Sequence, residues 1–77
     1  MVAISSMKKG ERAKIIDFGQ TPKSMRMRLY GLGFCPGAEL VIEHIAPLGC
    51  PVAVKVGGTL ISLRLVEFQY VRLKKYE

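Results

Sequence analysis

Three side chains in this sequence are of types that bind transition metals: Cys35, His44 and Cys50. Thiolate and imidazole are the donors that zinc and the later first-row metals prefer. Structural zinc usually takes close cysteine pairs, whereas these three stand singly along the chain. Their spacing therefore gives no support to a preformed site, and they are candidates for Fe2+ or another transition metal only if the fold gathers them from separate loops. His44 alternates with Leu40 and Ile42, which predicts a partly buried histidine with its hydrogen bonds satisfied. The two cysteines are expected to serve as small buried filler, and to stay thiols in a reducing compartment.

Catalytic arrangements are hard to assemble from the remaining residues. No serine lies in a G-x-S-x-G turn, and His44 is the one histidine available as a base, which excludes hydrolase triads. Glu39 and Glu43 fall on a predicted strand, roughly 13 Å apart at about 3.3 Å per residue, too far to share a reacting group and better read as surface charges. Gly31-Leu32-Gly33 has the opening of a dinucleotide-binding glycine motif, but it lacks the third glycine and ends a helix instead of following a strand. We therefore expect no catalytic residues and no cofactor site, and a protein that acts by binding another molecule.

Charge says something about the partner. The net charge is +6, and residues 1–33 carry seven Lys or Arg against Glu11 and Asp17, a local charge of +5. A basic half suits an acidic partner, or is simply a solvated surface. Nucleic-acid binding would draw on Tyr30, Phe34 and Tyr70 as stacking platforms, yet these aromatics are not interleaved with Lys or Arg on one strand and no RNA-recognition motif is visible. Nucleic acid is therefore not the expected partner. A helix predicted over 22–32 offers a protein-binding face instead. Its 100° step puts Lys23, Arg26, Met27 and Tyr30 together, opposite an apolar stripe of Met25, Leu29 and Leu32. An exposed Met and Tyr among cations suit a binding hot spot; the same two side chains could also pack under a neighbouring loop.

The elements that must hold these residues are short and mostly strands. Met7 to Glu11 turns into a first strand, Arg12 to Phe18, where Ile16 and Phe18 break strict alternation. Thr21-Pro22 predicts an N-cap followed by proline at the first helical position, and Gly33 a helix stop. Pro36-Gly37 predicts a tight turn into a strand over 38–46, whose two faces are both partly apolar. The loop Pro47-Leu48-Gly49-Cys50-Pro51 places Leu48 at a tip. Val52 to Val56, Gly57-Gly58 and Thr59 to Leu65 predict a two-residue hairpin with Val52, Val54, Val56, Ile61, Leu63 and Leu65 facing inward. Val66 to Gln69 reads as a turn, Tyr70 to Leu73 as the last strand, and Lys74 to Glu77 as a frayed tail. Five short strands and one helix over 77 residues predict a single mostly β domain, a small closed barrel with the helix covering one opening. A hydrophobic fraction of 49% is enough for such a core and too high for a disordered chain. The chain has no apolar run long enough to span a bilayer, and its first nine residues do not have the order of a secretory signal, so a cytoplasmic location is expected.

Taken in order, Met7-Lys8-Lys9-Gly10, the helix end Arg28-Leu29-Tyr30-Gly31-Leu32-Gly33-Phe34, the Pro36-Gly37 turn, Ala46-Pro47-Leu48-Gly49 with Pro51, and Ile61-Ser62-Leu63-Arg64 resemble the FeoA family of bacterial ferrous iron uptake over nearly the whole chain. The resemblance implies an SH3-like β-barrel that assists FeoB, the Fe(II) transporter with a GTP-hydrolysing cytosolic domain, and that meets the membrane only through this partner. The family is also similar to the C-terminal barrel of iron-dependent repressors, although their DNA-binding and metal-sensing portions have no counterpart in these residues. Cys50 stands where relatives commonly carry a non-thiol residue. Combined with the helix face, the resemblance points to Lys23, Arg26, Met27 and Tyr30, with the Pro47-Leu48-Gly49 loop, as partner contacts.

Overall fold

A computed structural model describes residues 1–76. Its strands are β1 (Arg12–Asp17), β2 (Glu39–Ile45), β3 (Val52–Val56), β4 (Thr59–Leu63) and β5 (Arg72–Lys75); helix α1 (Lys23–Gly31) lies between β1 and β2, and the single-turn α2 (Leu65–Phe68) between β4 and β5. The strands form one antiparallel sheet in the order β4-β3-β2-β1-β5. Extents of 28 × 25 × 23 Å show that this sheet curls around its core instead of lying flat. The mostly β, five-stranded, SH3-like architecture expected from the sequence is the one observed, with α2 in addition.

Alternation accounts for the core. Val52, Val54 and Val56 of β3 and Ile61 and Leu63 of β4 point inward and are buried, and β3 pairs with β4 from Val56↔Thr59 to Val52↔Leu63. Gly57 and Gly58 both have positive φ, 54° and 83°, the pair of left-handed positions that a two-residue hairpin matched to strand twist requires. The core continues through Ala13, Ile15, Leu40, Ile42 and Leu73 on the central and edge strands, and through Phe34 and Phe68 from the connections.

Several expectations are corrected. Thr21 does not cap α1: it is buried, and its hydroxyl donates to the Phe18 carbonyl at 2.6 Å, so Pro22 occupies the cap position without a side-chain cap. The helix ends one residue before Leu32, which is 40% exposed; the predicted stripe therefore reduces to buried Leu29 with half-buried Met25. His44 is exposed, not partly buried, because a register shift between Ile42 and His44 leaves Glu43 as the extra residue and reverses the inward phase of β2. Cys50 is exposed and Cys35 half-buried, so neither is buried filler. Strand β4 stops at Leu63 and Leu65 is exposed, because Glu67 reaches back to accept the Arg64 backbone N–H at 2.9 Å and turns the chain into α2. The last strand lies two residues beyond the predicted one, and its tail is held: the Tyr76 N–H donates to the Arg12 carbonyl at 2.9 Å. Only Glu77 of the tail expected to fray lies outside the described residues.

Candidate partner-binding site

Strand β1 ends on Asp17, and its last residues set up the site. A register shift between Ile15 and Asp17 in the pairing with β5 is the physical form of the broken alternation at Ile16 and Phe18. It sends Phe18 inward, 5% exposed, where the ring lies 6.4 Å from Phe34 in the core and 5.3 Å from Tyr30 on the surface. Tilted aromatic pairs at these distances are attractive beyond their buried area. Phe18 is thus both core and floor: the three rings run from the interior to a half-exposed tyrosine.

Above this floor is an open groove of about 590 Å³. Helix α1 supplies one wall with Lys23, Arg26, Met27 and Tyr30, and the chain after β1, together with Pro36 and Arg72, supplies the other. All four helix residues expected from the sequence therefore line one surface. Met27 is 64% and Tyr30 54% exposed, so Met27 is not packed under a neighbouring loop and Tyr30 only leans on Phe18. The Pro47-Leu48-Gly49 loop is elsewhere. It leaves the end of β2 opposite to the one α1 joins, is exposed throughout, and carries Leu48 at its tip with 95% exposure. The predicted contacts thus divide into a groove and a remote loop.

Sequence reasoning missed Phe18, Pro36 and Arg72, and missed what holds α1 in place. Glu67 is 2% exposed, and its second carboxylate oxygen lies 2.9 Å from Arg28, tying α1 to α2. The one sequence signal for Phe18 was its departure from alternation at the strand end; Arg72 and Glu67 come from the far end of the chain and gave none.

Charges at the groove are sorted by pairing. Asp17 accepts two hydrogen bonds from the Arg72 guanidinium, at 2.7 and 2.5 Å, and one from the Gly19 N–H at 2.9 Å. The Arg72 hydrogen bonds above all hold the Asp17 carboxyl below the usual carboxylate range; they outweigh the opposing effect of burial, and the Gly19 N–H adds a smaller lowering. Glu11 is likewise lowered, by its hydrogen bond to Lys75 and then by the Lys8 N–H. No ion pair engages Lys23 or Arg26 among the described residues.

Depressed carboxylate pKa values stabilise the fold fully above the unfolded values and lose that contribution as pH falls through the folded ones. Stability is therefore expected to be level from neutral pH down to about 5 and to decline below about 4. Urea midpoints measured from pH 7 to 2.5 should show this decline, and Asp17→Asn should make it shallower.

The metal candidates are not brought together. Cys35 precedes β2 and His44 lies near its far end, roughly 17 Å along the strand from Glu39 at about 3.3 Å per residue. Among the described residues no three His, Cys, Asp or Glu side chains gather as a metal site. Phe34, one of the three aromatics considered for base stacking, is fully buried. No helix of the described residues is long and apolar enough to cross a membrane.

The FeoA domain model matches residues 2–75. The chain belongs to the FeoA family. The solution structure of FeoA from Chlorobium tepidum is 30% identical, superposes with a TM-score of 0.89, and is matched over 99% of this chain and 71% of that one. FeoA of Stenotrophomonas maltophilia complexed with zinc, described as a procaryotic SH3 domain protein, is 26% identical with a TM-score of 0.79, over 96% of this chain and 91% of that one. IdeR of T. acidophilum, 21% identical, shares the fold with a TM-score of 0.87, over 97% of this chain and 34% of that one. No curated protein matches the sequence. Membership of the FeoA family gives this small domain a role in ferrous iron transport.

Proposed function

We propose that this FeoA-family chain is a non-enzymatic accessory protein of ferrous iron uptake, working at the cytoplasmic face. It docks on the cytosolic part of the GTP-hydrolysing FeoB-type transporter and modulates Fe(II) movement. Iron enters this account as the transporter's cargo, not as a resident of the domain. The observation that carries the reading is the groove beside α1: Met27 and Tyr30, two large apolar side chains more than half exposed, sit over an aromatic floor with two cations that have no ion-pair partner among the described residues. Clustered aromatic and long apolar side chains of this kind dominate binding energies at protein interfaces. Leu48 at its loop tip is the second contact.

Calorimetric titration with the transporter's cytosolic domain tests it. Met27→Ser and Tyr30→Ala are each expected to weaken binding about 30-fold, the loss of roughly 2 kcal/mol typical of an interface anchor. Their stability should remain within about 0.5 kcal/mol of the parent for Met27→Ser, whose side chain is largely in water. Leu48→Ala should have a smaller effect. Unchanged affinity in all three variants would remove the groove and the loop from the interface.

A further inference from the structure

Every residue from Phe18 to Ala38 is neutral or basic; the cations are Lys23, Arg26 and Arg28, and there is no Asp or Glu. Arg28 is engaged by buried Glu67, and Arg72 across the groove by Asp17. Among the described residues two positive charges of this segment are therefore left unmatched, Lys23 and Arg26, and both line the groove. They lie in the first turn and a half of α1, whereas Met27 and Tyr30 lie in its second half. The midpoints of the two pairs are four residues apart, about 6 Å along the axis at 1.5 Å per residue. That is close to the separation of residues i and i+2 on one face of an extended chain, about 6.6 Å.

From this spacing and charge we propose that the groove takes an extended acidic segment, with a carboxylate on Lys23 and Arg26 and an apolar side chain two positions away seated on Met27, Tyr30 and Phe18. The inference rests on the docking reading above and specifies the segment that the partner presents. A concave groove with an aromatic floor fits a protruding side chain. A flat bilayer surface would instead need a convex apolar face on the protein. Lys23 and Arg26 select the acid, and the Phe18–Tyr30 surface selects the anchor.

The test uses the full 77-residue chain and overlapping ten-residue peptides that cover the transporter's cytosolic sequence, followed by fluorescence anisotropy and by amide shifts. The expected binders contain Asp or Glu two positions from Leu, Ile, Met or an aromatic residue, and their shifts centre on Lys23 to Tyr30. Lys23→Glu with Arg26→Glu should weaken them at least about tenfold, as loss and reversal of charge complementarity does. Acids near the start of a helix suit its dipole, so the double variant should keep its fold and its spectrum elsewhere. The proposal is overturned if no peptide binds, if binders lack the acid, or if the double variant binds them undiminished. It is also overturned if phosphatidylglycerol vesicles, and not peptides, engage the same residues. A parallel titration with the intact cytosolic domain separates the two ideas. Binding that ignores the double variant keeps docking and sinks the acidic segment, whereas peptide binding without domain binding does the reverse.

Discussion

Leu29→Ala is expected to lower unfolding free energy by about 3 kcal/mol, within the range for emptying a buried leucine site, and to lower Tm by roughly 15 °C in a domain of this size. Leu29 is the single fully buried residue of α1. Its carbonyl also accepts the N–H groups of Leu32 and Phe34, both at 3.0 Å, where the chain leaves the helix. The substitution therefore removes the side chain that seats the groove wall, leaving mainly the Arg28–Glu67 pair and half-buried Met25. Urea unfolding should show a lower midpoint with an unchanged slope, and hydrogen exchange should show α1 amides losing protection more than those of β3. A loss below about 1 kcal/mol would mean that α1 is held by its ion pair instead of by packing.

Gly19→Ala is expected to be as damaging without emptying any space. Gly19 adopts φ +56°, and a Cβ there would lie 2.3 Å from the Tyr70 backbone carbonyl oxygen, a contact that only movement of the backbone can relieve. The left-handed conformation alone costs alanine about 1 kcal/mol, and with the clash the loss should exceed roughly 2 kcal/mol. Gly10→Ala separates the two causes. Gly10 also has positive φ, +89°, but nothing lies within 4 Å of the added carbon, so only the smaller conformational cost of about 1 kcal/mol should appear. Gly19 also lines the groove, and its N–H donates to Asp17. Gly19→Ala should therefore weaken docking under conditions where the remaining protein is folded. Equal stability of the two variants would show that the Tyr70 segment yields at little cost.

How much of this was legible in the sequence depends on the range of the interaction concerned. The β3–β4 hairpin was readable from Val52 to Leu63, because Gly57-Gly58 specifies a local turn and the alternating valines specify a face; only its end at Leu65 was not. The two register shifts were not. Alternation predicted an inward His44, and only the pairing of β2 with β3 places the extra residue that turns it outward. Thr21 had the right type for a cap, but its hydroxyl found the Phe18 carbonyl first. Helix α2 depends on one buried carboxylate, Glu67, satisfied by Arg64 and by Arg28 some forty residues earlier, a contact with no local signature. The site divides in the same way. Lys23, Arg26, Met27 and Tyr30 follow from helical periodicity alone, whereas the opposite wall is assembled from the end of β1, Pro36 and the start of β5. The metal candidates show the converse: suitable residue types, with Cys35 left apart from His44 by the length of β2.

The most direct test of the account is an NMR titration of the isotope-labelled chain with the cytosolic domain of the transporter, at physiological salt and without added metal. Amide shifts concentrated on Lys23 to Tyr30, with a smaller set at Ala46 to Pro51, are the predicted result. No shifts at high concentration, or shifts confined to the β4 edge and the hairpin turn, would contradict it.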